Sequence, residues 1–196
     1  TEVGFDISNS KGERYKPMVD LGGWVRATNE SSIQYNRSLY WQLKNYLTYA
    51  NTWGKHSVTA MVGQEAWESS WEYASVFGSN LPSDEVHNPA LGAGDPKISS
   101  GFGSSAMASF FTRETYNYDD RYYLTYTYRY DGSSNFGPEN RWAGFHSVAG
   151  SWRFNNEAFL KDVEWLSNGK IRLGWGQTGN SNIGSYAWGS SISRMP

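Results

Sequence analysis

The sequence predicts an all-β fold, an antiparallel up-and-down sheet of about six or seven strands. Three observations carry that reading. Apolar and polar residues alternate with period two in successive segments, the links between those segments alternate between short and long, and aromatics make up 17% of the chain. Period two is the spacing at which a strand sends every second side chain to the same face.

Taken in order, Ser38 to Trp53 places Leu39, Trp41, Leu43, Leu47, Tyr49 and Trp53 on one parity, broken by Asn45 and Asn51. Gln42, Lys44, Thr48 and Thr52 occupy the other. Gly54-Lys55 then has the length and the glycine of a tight hairpin turn. Ser57 to Trp67 returns with Val58, Ala60 and Val62 against Ser57, Thr59 and Glu65. Residues 68–103 lose the alternation and contain Pro82, Pro89 and Pro96, so they read as a long loop. Ser104 to Asn117 alternates again, with Ala106, Ala108, Phe110 and Tyr116 on one face, and a short turn at 118–121 follows.

The next segment is the clearest. Tyr122, Leu124, Tyr126, Tyr128 and Tyr130 share one side, and Arg121, Tyr123, Thr125, Thr127 and Arg129 the other. Residues 131–144, rich in Gly, Ser and Asn, read as a loop. Val148, Gly150, Trp152 and Phe154 alternate with Ser147, Ala149, Ser151 and Arg153. Asn155 or Asn156 is placed to cap a short helix through Glu157 to Leu166. Ile171, Leu173 and Trp175 finally alternate with Lys170, Arg172 and Gly174.

A net charge of -2 gives no basic footprint, which argues against nucleic acid as a partner. The absence of cysteine removes disulfides and thiolate chemistry. No stretch reaches the roughly 18–20 apolar residues of a membrane helix, but a barrel strand crosses with about 9–11 residues, only every second one apolar. The apolar parity ends in aromatics such as Trp53, Tyr130, Trp152 and Trp175, as rings at a headgroup level would. A soluble sheet with one face in a core also alternates. The pattern alone therefore leaves open a soluble aromatic-rich sandwich that binds carbohydrate, a self-contained outer-membrane barrel of about eight strands, and a segment of a larger barrel.

The ordered motifs "R-Y-DGSS-N-FG" at 129–137, "SWR" at 151–153, Glu157 with Phe159, and "K-I-R-L-G-W-GQTGN" at 170–180 resemble the barrel of SusC/RagA-type TonB-dependent outer-membrane transporters. Ser151 stands where that pattern usually has Gly, and "GKHS" at 54–57 is similar to one of its hairpins. The resemblance implies a transmembrane β-barrel segment, part of a barrel of about 22 strands with a plug inside. Residues 1–196 are then expected to be part of the barrel domain, with plug, signal peptide and C-terminal strands outside the chain. It further implies active uptake of oligosaccharides or peptides across an outer membrane of Bacteroidota type. The implied partners are a SusD-like surface lipoprotein, outer-membrane lipid, the solute, and the TonB complex through parts of the protein not in this chain.

On that reading Arg121, Thr125, Thr127, Arg129, Arg153, Lys170 and Arg172 are expected to face the lumen. Tyr122, Leu124, Tyr126, Tyr128, Tyr130, Val148, Trp152, Ile171, Leu173 and Trp175 are expected to face lipid. Trp67, Trp71, Tyr73 and Phe77 are expected in an extracellular loop, as contacts for solute or partner.

No enzyme chemistry is expected. His56, His87 and His146 have no metal-ligand spacing, and no cofactor motif is found. Glu65, Glu68 and Glu72 beside Trp67 and Trp71 would suit paired carboxylates only with a second acid opposite. They read instead as the base of the long loop.

Overall fold

The computed structural model describes residues 1–160, 166, 168–181 and 183. Among them nine strands form: β1 (Glu2–Lys16), β2 (Val19–Asp20), β3 (Val25–Arg26), β4 (Glu30–Trp53), β5 (His56–Ser79), β6 (Lys97–Tyr118), β7 (Tyr122–Ser133), β8 (Trp142–Trp152) and β9 (Ile171–Gly176). Seven of them make one sheet in the order β1-β4-β5-β6-β7-β8-β9, and β2 and β3 pair separately. From β4 onward each strand lies beside the one before it in sequence, the up-and-down arrangement that the alternation implies.

The chain divides into two compact units. One comprises Thr1–Val3, Gln42–Trp67 and Ser105–Pro196, the other Gly4–Trp41 and Glu68–Ser104. In the first unit β7 pairs antiparallel with β6 and β8, with Tyr126 opposite both Glu114 and Val148, and β8 pairs with β9, Val148 opposite Trp175. The tight connections fall where expected. β4 turns into β5 through Gly54 at φ +59°, and β6 into β7 through Asp119 and Asp120, both at φ +53°. Glycine adopts that backbone freely and Asp is among the residues that tolerate it best.

These two turns and the exit of β8 are knitted together. Lys55 Nζ donates to Asp119 Oδ2 at 2.8 Å, and Arg121 bridges Asp119 and Glu157. Arg153 and Asn156 both donate to Asp120. Salt bridges and hydrogen bonds hold the carboxyls of Asp119, Asp120 and Glu157 below their ordinary range: Lys55 chiefly for Asp119, the Tyr123 hydroxyl for Asp120, and the Tyr122 hydroxyl for Glu157.

Three expectations are corrected. The loop over 68–103 shrinks to 80–96, because β5 runs on to Ser79 and β6 begins at Lys97. The loop over 131–144 shrinks to 134–141 for the same reason. The helix from Glu157 does not form over the described residues 157–160, and 161–165 lie outside them; a 3-10 turn at Phe154–Asn156 stands before it. Its supposed caps are engaged elsewhere: Asn155 Oδ1 accepts from Gly169 N–H and Asn156 reaches Asp120. The strands before Ser38 were not anticipated: β1, the short β2 and β3, and the first eight residues of β4, Glu30–Arg37.

In the second unit the 80–96 loop is pinned at one point. Asn29, 1% exposed, accepts from Leu81 N–H at 2.6 Å and donates to Leu81 O and Asp84 Oδ1. Tyr15 donates to Asp84 and stacks on His87 at 4.1 Å, and Ser31 donates to His87 O. Gly78 packs so closely on Pro89 that a Cβ there would lie 2.0 Å from its carbonyl oxygen.

Candidate functional site: the two faces of the sheet

The odd residues of β7 lie on a polar face. Its centre is Arg129, whose guanidinium donates to Glu65 Oε2 at 3.1 Å, Asp131 Oδ1 at 2.7 Å and Ser109 Oγ at 2.8 Å, and lies over the Phe111 ring at 5.8 Å. Lys44 Nζ approaches the other Glu65 oxygen at 3.7 Å. The result is a row of alternating charge, Lys44–Glu65–Arg129–Asp131, drawn from three strands, β4, β5 and β7. Towards the turn end Thr125 and Thr127 pair with Thr115 and Arg113 of β6. A hollow of about 280 Å3 lies there, lined by Arg113, Tyr123, Thr125, Lys170 and Arg172 among others. Lys170 Nζ sits 4.3 Å from the Tyr123 ring centroid and the Arg153 guanidinium 5.8 Å from it.

Thr125, Thr127, Arg129, Lys170 and Arg172, expected to face the lumen, share this polar side of the sheet, with Arg153 at its turn end. Arg121 departs from the expectation. It belongs to the turn, and its guanidinium meets the Glu157 carboxylate that also accepts from Tyr122 Oη and Trp152 Nε1. Glu65 and Lys44, which complete the row, were missed because sequence spacing cannot show that residue 65 meets residue 129.

The even residues of β7 form the opposite face. Tyr122, Leu124, Tyr126 and Tyr130 are exposed, as are Val148, Trp152, Ile171, Leu173 and Trp175 on the strands beside them. Tyr128 is half-buried against His146, ring centroids 4.6 Å apart. Aromatics gather at two levels. At the turn end Tyr118, Tyr122, Trp152 and Ile171 share one cross-strand row; at the other end Trp142 stacks on Tyr130 at 5.1 Å and on Phe110 at 6.2 Å. From Tyr122 to Tyr130 is about 27 Å along a strand, a little over 20 Å in height at the usual 35–45° tilt. Trp175 lies at the end of the short β9, as expected, and that end is level with the middle row of Tyr126 and Val148. Thr112, Glu114 and His146 interrupt the apolar character; Thr112 donates to Glu114, and Tyr126 Oη lies 2.8 Å from His146 Nδ1.

The remaining expected sites move. Trp67, Trp71, Tyr73 and Phe77 lie in β5, not in a loop. All four have odd numbers, so the strand signal was present but carried by aromatics alone. Glu65, Glu68 and Glu72 are also on β5, each with its own partner: Glu68 accepts from Trp41 Nε1 at 3.3 Å and Glu72 lies 3.6 Å from Arg37. They form no acid–base pair. His56, His87 and His146 each hydrogen-bond within the protein, and no group of metal-ligating side chains occurs among the described residues.

A sheet with a polar, ion-paired face and an exposed apolar face banded by aromatics defines the wall of a transmembrane β-barrel of the outer-membrane type. No family model matches the chain. It is 32% identical over 188 residues to TonB-dependent receptor P3 of Formosa agariphila, covering 95% of this chain and 19% of that protein. It is 35% identical over 166 residues to TonB-dependent receptor SusC of Bacteroides thetaiotaomicron, covering 83% of this chain and 15% of that one. Among solved structures, the RagAB peptide transporter superposes with a TM-score of 0.84 at 28% identity, over 94% of this chain and 21% of that chain. In its open-open state the RagAB peptide importer gives 0.86 at 28% identity. The chain is a barrel segment of the SusC/RagA type of TonB-dependent receptor, a Bacteroidota outer-membrane class, and it spans less than a fifth of the length of the curated relatives it matches.

Proposed function

We propose that residues 1–196 are barrel wall in an importer that draws oligosaccharides or peptides across the outer membrane, and that the two faces divide the work. The aromatic face of β7, β8 and β9 meets lipid. The face of Arg129, Thr125, Thr127, Lys170 and Arg172 lines the water-filled or plug-filled interior. The observation that carries this reading is the pair of aromatic levels on one face, separated by a height close to the roughly 25 Å apolar band of outer-membrane barrels. Strands of 22–24 residues in β4, β5 and β6 exceed the 9–11 needed to cross, so much of each stands outside hydrocarbon.

Energy for uptake comes from the TonB complex and a SusD-like lipoprotein covers the mouth; both contacts belong to the whole protein. The relatives support the class of activity, since one is called a receptor of this type and another a peptide transporter. Deleting the full-length gene in its host should abolish uptake of the labelled solute that the cells otherwise accumulate. Dissipating the proton gradient should do the same. Uptake that survives both treatments contradicts an energised importer.

A further inference from the structure

The polar face carries two groups of cations, and they are neutralised differently. Around Arg129 the charges alternate, with Glu65 and Asp131 paired to it and Lys44 beside Glu65. Nearer the turns, Arg113, Lys170 and Arg172 border the hollow of about 280 Å3, and no carboxylate is among its described lining residues. None of the three forms a salt bridge among the described residues, whereas the neighbouring Arg121 and Arg153 are both paired. The acids just before β9, Asp162 and Glu164, lie outside the described residues, and residues 165–196 contain no Asp or Glu. Three like charges around one space repel one another and concentrate counter-ions there.

The strand register accounts for the space. Arg172 lies opposite Ser151, Gly174 opposite Ala149 and Gly176 opposite Ser147. On β7, Tyr123 and Thr125 lie opposite Ser151 and Ala149; Thr115 of β6 lies opposite Thr125, with Arg113 two residues further along. The floor is therefore built largely of small residues, while long cationic side chains border it from β6 on one side and from Lys170 and β9 on the other. A Cβ at Gly174 would meet nothing nearer than Ala149 Cβ at 3.5 Å, an ordinary contact, so the floor is open. Lys170 Nζ is held over the Tyr123 ring at 4.3 Å, which orients the ammonium without neutralising it. Thr125 and Ser151 add hydroxyl donors to the lining. A guanidinium presents a fork of N–H donors that matches two oxygens of a carboxylate, phosphate or sulfate, and an ammonium adds a point charge for another.

We infer that Arg113, Lys170 and Arg172 form an oxyanion site on this face, taking a sulfate, phosphate or carboxylate group with Thr125 and Ser151 as neutral donors. It rests on the reading of the face as barrel interior, which water and ions reach. Two sources supply that chemistry: a free oxyanion, or a carboxylate from a part of the protein outside residues 1–196. The test treats the full-length protein in detergent micelles with the arginine reagent p-hydroxyphenylglyoxal, in sodium sulfate, sodium phosphate or sodium chloride at equal ionic strength, and reads each arginine by mass spectrometry. For a free oxyanion, sulfate or phosphate near saturation should slow modification of Arg113 and Arg172 about tenfold relative to chloride, and leave Arg26 of β3 unchanged. Lys170→Gln with Arg172→Gln should abolish the protection of Arg113, while Arg172→Lys should keep part of it. If the double variant does not fold, Arg172→Gln alone should weaken the protection of Arg113. For a carboxylate of the protein itself, a zero-length carbodiimide should join Lys170 to an Asp or Glu outside residues 1–196. The site is overturned by the absence of both results, by equal slowing at Arg26, by protection of Arg113 that the neutral variants leave unchanged, or by a cross-link from Lys170 to Asp162 or Glu164. Protection by sulfate in a protein whose odd β7 positions contact lipid overturns the barrel-interior reading and leaves the anion site standing.

Discussion

Arg129 is the residue on which the polar face turns. Its three hydrogen-bond partners come from β5, β6 and β7, and two of them are carboxylates: the side chain of Glu65 is 15% exposed and that of Asp131 19%. Removing the cation leaves both acids short of a partner, and Lys44 alone, at 3.7 Å from Glu65, compensates poorly. Arg129→Leu should therefore cost about 1–3 kcal/mol, between the small value of exposed ion pairs and the large one of buried pairs, measured by urea unfolding in lipid vesicles. An unchanged midpoint would mean that the row contributes nothing to stability. Arg129 itself was legible from the alternation and from the turn that follows it. Its partner Glu65 was not: beside Glu68 and Glu72 in sequence it reads as one of a cluster, and only the pairing of strands sends the three to separate partners.

At the scale of elements, the loop 80–96 behaves as a built part. Asn29 satisfies backbone groups of Leu81 and also holds Asp84, so it substitutes for the strand pairing that ends at Ser79. Asn29→Ala should leave Leu81 N–H buried without a partner, a penalty of about 1–3 kcal/mol. Hydrogen exchange should then rise at residues 80–88 while β5 and β6 stay protected; uniform exchange across the sheet would contradict a local role.

The turn network makes a second element-level prediction, outside the membrane-crossing segments. Asp119, Asp120 and Glu157 have folded-state pKa values below their ordinary 3.8, 3.8 and 4.5. Lowered carboxylate values contribute stability that is fully present above those ordinary values and is lost as pH falls through the lowered ones. Exchange at residues 119–123 and 153–157 should accelerate as pH is taken below about 4, after correction for intrinsic rates. Asp119→Asn with Glu157→Gln should remove most of that acid response.

Turns at 54–55 and 118–121 were legible because tight reversals demand particular residues. The upper part of β5 was not, because its aromatics share a parity without an apolar–polar contrast: a strand wetted on both sides has no core face to advertise. The helix after Asn156 failed for a related reason, since a side chain able to cap is equally able to bind a neighbouring turn.

For the whole molecule, the fold class was legible because a barrel wall repeats one simple rule, alternation with a short turn at one end. What alternation cannot give is which face meets which medium; a sandwich core and a lipid face read alike. Exposure and the two aromatic levels favour lipid on the even side of β7, and Thr112, Glu114 and His146 show that the face is not uniformly apolar. The most direct test is a nitroxide scan at single positions 122–130 in the full-length protein reconstituted into lipid vesicles. Collision with dissolved oxygen should peak at the even positions, highest at 124 and 126, and fall at 123, 125, 127 and 129. Even positions shielded from both oxygen and a polar nickel reagent, or an oxygen maximum at the odd positions, would contradict the account.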